Sequence, residues 1–69
     1  MEDIELKLRF TYHVPKEGQP DKYTTIRNEA KLLAILISKV CPESRERSLA
    51  ITKLEEAVMW ANASIARRE

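Results

Sequence analysis

Tyr12 and His13 lead into a stretch containing Pro15, Gly18 and Pro20, and Lys22, Tyr23, Thr24, Thr25 and Arg27 follow. Hydroxyls, an ammonium, a guanidinium and a stacking ring are the groups that grip a phosphate and lie against a planar base. A helix starting at that point adds free N–H groups and partial positive charge, which also favour phosphate. A plainer account exists for the same residues. Tyr12 can be the last inward residue of a strand with its hydroxyl at the wet edge, and many helices begin with Lys and Thr. Arg45 and Arg47 raise the same question lower in the chain, where cations at the start of a second helix oppose its macrodipole. Either Glu43, Glu46 or another chain pairs with them, or an anion sits there.

Catalysis finds little to work with. His13 is the only histidine, Cys41 the only cysteine, and no Cys/His cluster offers a metal site. Cys41 precedes Pro42 and reads as a small apolar filler, whereas a nucleophile needs an activating partner. Glu55 and Glu56 are adjacent on a helix, so they point in different directions and cannot share a substrate. The sequence therefore predicts no enzyme, no metal and no cofactor. Twelve Lys+Arg against eleven Asp+Glu, a net charge of +1, does not suit a protein that coats DNA or RNA. The longest apolar run, Leu32 to Ile37, is too short to cross a bilayer, and the N-terminus lacks the layout of a signal peptide. One unpaired cysteine fits a reducing cytosol.

Three segments must position these groups. Ile4, Leu6, Leu8, Phe10 and Tyr12 alternate with Glu5, Lys7, Arg9 and Thr11, the period of a half-buried strand, so an extended or strand-like arm and a loop are expected over residues 1–20. No other segment alternates, and the strand's partner would be another protomer or a helix face. Helix one is expected over 21–40, capped by Asp21 behind Pro20, with Ile26, Ala30, Leu33, Ile37 and Val40 as its stripe. Pro42 ends it. Helix two is expected over 44–67 with Ser44 as its cap and a seam of Ile51, Leu54, Val58, Ala61 and Ile65. The short connection forces an antiparallel hairpin. Two helices share one interface and cannot enclose a core, yet Leu32, Leu36, Met59 and Trp60 remain apolar outside it. Those four are the expected oligomer interface, with Trp60 the anchor of a contact between chains. The fold class is thus mainly α, a single hairpin domain that assembles as a homo-oligomer.

The stretches FTYHVPKEGQPDKYTTIRNEAKLLAILI and CPESRERSLAITKLEEAVMWANASIARRE resemble the phage hairpin-domain proteins that counter bacterial cyclic-nucleotide immunity. These are the anti-CBASS sponges of the second type and the related hairpin of the Thoeris anti-defence sponges. The resemblance covers nearly the whole chain from about Phe10. It implies a phage- or prophage-encoded protein of the host bacterial cytoplasm that forms dimers and then a hexamer. Such a protein sequesters cyclic dinucleotides such as cyclic GMP-AMP without cutting them, and in some members also cyclic trinucleotides such as cyclic tri-adenylate. By the same resemblance the ligand tyrosine falls on Tyr12 and the basic residue on Arg27. His13, Thr24 and Thr25 stand beside them, and Glu29 departs from a threonine of the pattern. A second pocket, for the trinucleotide, would draw on Arg45 and Arg47. The rival readings are a non-catalytic helical adaptor whose apolar faces grip another protein, and a phosphodiesterase that would consume the same ligands.

Overall fold

The alternation at the start of the chain does not make a strand. In a computed structural model describing residues 1–69, Asp3–Phe10 is a helix, α1. A lone strand would leave its backbone donors and acceptors without partners, whereas a helix satisfies most of its own. The residue types favour that outcome. Glu, Leu, Lys and Arg are strong helix formers. Asp3 and Glu5 lie in the positive first turn and Lys7 and Arg9 in the negative last turn. Arg9 Nε also donates to Glu5 Oε1 at 3.2 Å, four residues back. His13 then closes the end: its Nε2 lies 2.7 Å from the Leu8 carbonyl and donates to it.

The second helix, α2, spans Gln19–Val40 and so begins two residues before Asp21. Gly18 is its N-cap, at φ 84°, a left-handed backbone that glycine adopts without strain. Pro20 falls within the first turn, where its missing N–H removes nothing from the hydrogen-bond ladder. Asp21 is therefore a first-turn acid, not the cap. The chain leaves α2 at Cys41, whose extended backbone suits a residue before proline. The third helix, α3, spans Arg45–Arg68, and Ser44 caps it by accepting a hydrogen bond from the Arg47 N–H at 3.1 Å.

Against each other α2 and α3 form an antiparallel hairpin. Ile51, Leu54, Val58, Ala61 and Ile65 are half-buried along α3, as the seam predicts. On α2 the half-buried row is Tyr23, Ile26, Ala30, Ala34 and Ile37. Ala34 thus takes the inward place assigned to Leu33, and Leu33 joins Leu32, Ile35 and Leu36 among the exposed apolar side chains. Small alanines let the two helices approach closely, and the larger neighbours are left outside.

One copy of this hairpin encloses no core. Gln19, 3% exposed, is the only buried residue and no apolar side chain is buried. The accessible surface is 5763 Å², against about 4,450 Å² for a folded monomer of this mass. The radius of gyration is 15.2 Å, where a compact chain of this length would have about 11 Å. No helix is long and apolar enough to cross a membrane.

Candidate ligand-binding site

The ends of the hairpin and the short first helix meet at one place, and two side-chain clusters hold them there. Glu5 on α1 accepts from both terminal nitrogens of Arg68 on α3, at 3.0 and 2.6 Å, while Arg9 shares the same carboxylate. These donors, Arg68 first and Arg9 second, hold the Glu5 carboxyl down at about 2 and raise the Arg68 guanidinium above its usual range. The second cluster ties the loop to the end of α3. Gln19 Oε1 accepts from the Lys16 N–H at 2.9 Å, and its Nε2 donates to the Ile65 carbonyl and to Glu69 Oε1, both at 3.2 Å. Lys22 pairs with the other Glu69 oxygen. Lys22 and then Gln19 hold the Glu69 carboxyl below its usual range.

This second cluster changes the expectation for the start of α2. A carboxylate, that of Glu69, already lies at the positive end of the helix with Lys22 and Gln19 on it. Lys22 is thus engaged within the chain. Thr25 turns to the same side, donating through Oγ1 to the Asp21 carbonyl at 2.9 Å.

The open cationic surface lies on the other side of α2. There a groove of about 430 Å³ is walled by Arg9 of α1, Arg27 of α2 and Arg67 of α3, with His13, Tyr23 and Asn62 between them. Three helices supply one arginine each, and no carboxylate lines the groove. The Arg67 side chain makes no hydrogen bond or ion pair in the chain, and that of Arg27 makes only a 3.4 Å contact to Thr24 Oγ1. Asn62 Oδ1 is buried without a partner. What such a surface can do is bind an anion that also carries hydrogen-bond donors.

Of the residues expected from sequence, Arg27 and His13 meet in this groove, with Thr24 against Arg27. His13 brings one ring nitrogen only, since Nε2 is held by the Leu8 carbonyl. Tyr12 stands outside the groove's wall, 81% exposed, beside Thr11 and His13 that line it. Arg47 lies at the far end of the hairpin, where its Nη1 donates to the carbonyls of Ser38 and Cys41 at 3.2 and 3.4 Å. Its partners are therefore the free carbonyls that close α2, with no carboxylate needed, and Arg45 beside it is exposed. Leu32, Leu36, Met59 and Trp60 are all exposed in the single copy. Tyr23 belongs to the phosphate-and-base kit read from the sequence, whereas Arg9, Asn62 and Arg67 are groove residues to which that reading gives no ligand role. Arg9 is hidden by the strand reading, which turns it to solvent. Arg67 reads only as a terminal cation of its helix.

A family model, the Acb2/Tad1 hairpin domain, matches residues 2–66 of the chain. The chain belongs to this family. It is the anti-CBASS sponge family that the sequence resembles, and the match extends into α1, ahead of the stretch where the resemblance is legible. Membership supports a sponge role against CBASS and Thoeris defence in general, and a family of that kind sequesters its ligand without catalysis. No curated protein and no solved structure matches the chain.

Proposed function

We propose that this Acb2/Tad1 hairpin protein binds and sequesters cyclic dinucleotides, with cyclic GMP-AMP as the representative ligand, in the cytoplasm of a bacterial host. The observation that carries the reading is Arg27 opening on a groove that holds Tyr23 and His13 and has no carboxylate in its wall. A guanidinium binds a phosphodiester through paired, charge-assisted hydrogen bonds. Aromatic rings add about 1–3 kcal/mol for each base stacked on them. Tyr12, largely exposed in the segment ahead of Pro15, is free to cover such a base from a second copy.

Assembly is the other half of the proposal. The surplus surface of about 1,300 Å² per chain, relative to a compact monomer, is what a contact between copies would remove. A cyclic dinucleotide carries two phosphates and two bases in near two-fold array, and a two-fold contact presents Tyr12 and Arg27 twice in the same symmetry. The exposed Leu32, Leu36, Met59 and Trp60 supply apolar seams for dimers and for a larger ring of the hexamer kind. A trinucleotide pocket at the far end of the hairpin would rest mainly on Arg45, since Arg47 already serves the carbonyls of α2.

The same exposed apolar residues favour the rival reading of an adaptor that grips another protein. Isothermal titration with a panel of cyclic di- and trinucleotides tests the sponge. Heat with a cyclic dinucleotide, lost in Tyr12→Ala with Arg27→Ala, supports it; no heat with any ligand overturns it. An adaptor would instead keep a protein partner through that double substitution and lose it on Trp60→Ala.

A further inference from the structure

Arg68, the last residue of α3, and Glu69, which caps that helix, hold opposite flanks of the hairpin. Arg68 reaches Glu5 of α1 through both terminal nitrogens. Glu69 takes Lys22 and Gln19 with its carboxylate, and its carbonyl accepts from Lys16 Nζ at 2.6 Å. Successive residues at a helix end point in different directions, so one pair of neighbours serves both flanks. The chain between these two fastenings has little hold of its own. Helix α1 has eight residues, too few to stand alone in water, and buries none of them. Its apolar side chains do not dock it either, with Ile4 72% and Phe10 84% exposed. Residues 11–16 belong to no helix, and residues 12–15 make no backbone-to-backbone hydrogen bond. The segment from α1 to the start of α2 is thus a strap tied at both ends to two consecutive residues.

The two fastenings share the last turn of α3. Carbonyls there lack partners within the helix. Gln19 supplies one by donating Nε2 to the Ile65 carbonyl, which the Glu69 N–H also approaches at 3.4 Å. Releasing Gln19 and Glu69 therefore frays the turn that carries Arg68. Each ion pair by itself is an ordinary surface contact: the side chains are 26% exposed at Glu5, 52% at Arg68, 53% at Lys22 and 40% at Glu69. Salt reaches and screens such pairs, and each alone adds little. We infer that Arg68 and Glu69 form a two-sided ionic latch that opens as a unit with rising salt, freeing residues 1–18 from a hairpin that stays folded. The α2–α3 seam is apolar, with Ile26, Ala30 and Ala34 facing Ile51, Leu54 and Val58, so screening does not loosen it. Residues 68 and 69 lie beyond residues 2–66 of the family match, so membership of the family gives them no role. In this chain they are positioning residues, acting through the strap that carries Tyr12 and His13.

The test is hydrogen exchange of the full, ligand-free chain at one protein concentration, at about 0.05 M and about 0.5 M salt, with rates corrected for intrinsic salt effects. Wild type is compared with Arg68→Gln, Glu69→Gln, both together, and Arg68→Glu with and without Glu5→Arg. Salt is expected to lower protection of the α1 amides about two- to fivefold for each pair screened, while the Leu54 and Val58 amides keep theirs. Glu69→Gln lowers α1 protection at low salt although no hydrogen bond joins Glu69 to α1, and Arg68→Gln lowers protection of the Lys16 and Gln19 amides. The double variant loses little more than either single one, the mark of one coupled unit. Glu5→Arg restores the protection that Arg68→Glu removes. The latch is overturned if α1 protection ignores salt, if Glu69→Gln loosens only Lys16 and Gln19, if the reversed pair restores nothing, or if the seam amides open together with α1. No nucleotide enters the experiment, so its failure leaves the sponge reading untouched.

Discussion

Replacing Leu32 and Leu36 together by serine is expected to take the assembly apart while leaving each hairpin folded. The two lie one turn apart on the outer side of α2, at 61% and 52% exposure. Fully burying a leucine contributes about 1.5–3 kcal/mol, so covering what remains exposed on these two is worth about 2–3 kcal/mol per chain. A two-fold contact counts that twice, about 4–6 kcal/mol, or three to four orders of magnitude in the association constant. Within one chain the change costs little, because neither residue is in the α2–α3 seam and serine trails leucine in helix propensity by only a few tenths of a kcal/mol. Sedimentation equilibrium at low micromolar concentration, with circular dichroism to confirm the helices, reads both effects. Wild type is expected as an oligomer and the variant as a folded or partly frayed single copy. A variant that keeps its helices and sediments with the wild type would refute this assignment of the seam.

Three further outcomes follow from the clusters that hold the fold. Gln19→Ala removes the one buried side chain and strips the Lys16 N–H of its partner, so the thermal midpoint at fixed protein concentration is expected to drop by the equivalent of about 1–3 kcal/mol. Asn62→Leu replaces a buried, unpartnered acceptor by an apolar group of similar size; the free protein should gain up to about 1–3 kcal/mol while ligand heat diminishes, and a loss of stability would show that Oδ1 has a partner after all. Glu5 has a folded-state pKa of about 2 against an ordinary 4.5, so its contribution is complete above the ordinary value and is lost as pH falls through about 2. Protection of the α1 amides, with exchange rates corrected for their intrinsic pH dependence, should therefore fall over that acid window in the wild type, and Glu5→Gln should show the lower protection already at neutral pH.

Much of the hairpin is legible in the residues, and the reasons are local. Pro42 forbids continuation of α2, Ser44 offers a cap with the right reach, and the step of three and four from Ile51 to Ile65 faces one neighbour. The first segment misleads because Ile4 to Tyr12 alternates over a stretch too short for period alone to decide. What decides it is the absence of any partner strand together with the Glu5–Arg9 pair and the docking of Glu5 on Arg68, a contact across nearly the whole chain. The start of α2 follows the same lesson: Gly18 in a left-handed backbone sets the boundary two residues ahead of the acid that looks like a cap. For the site, Arg27 could be carried over from family pattern. Arg9 and Arg67 could not, because their meeting depends on α1 being a helix and on which way it turns. Arg47 shows the converse, a charge conspicuous in the sequence whose partners are backbone carbonyls.

Retention of intact ligand tests sequestration most directly. The protein is mixed with a slight deficit of 3′,3′-cyclic GMP-AMP, passed over a filter that holds the protein, then heat-denatured, and the released nucleotide is separated on a column. Nucleotide held back with the protein and returned unbroken after denaturation is the predicted result. Nucleotide that runs freely through the filter, or that comes back linear, would contradict it.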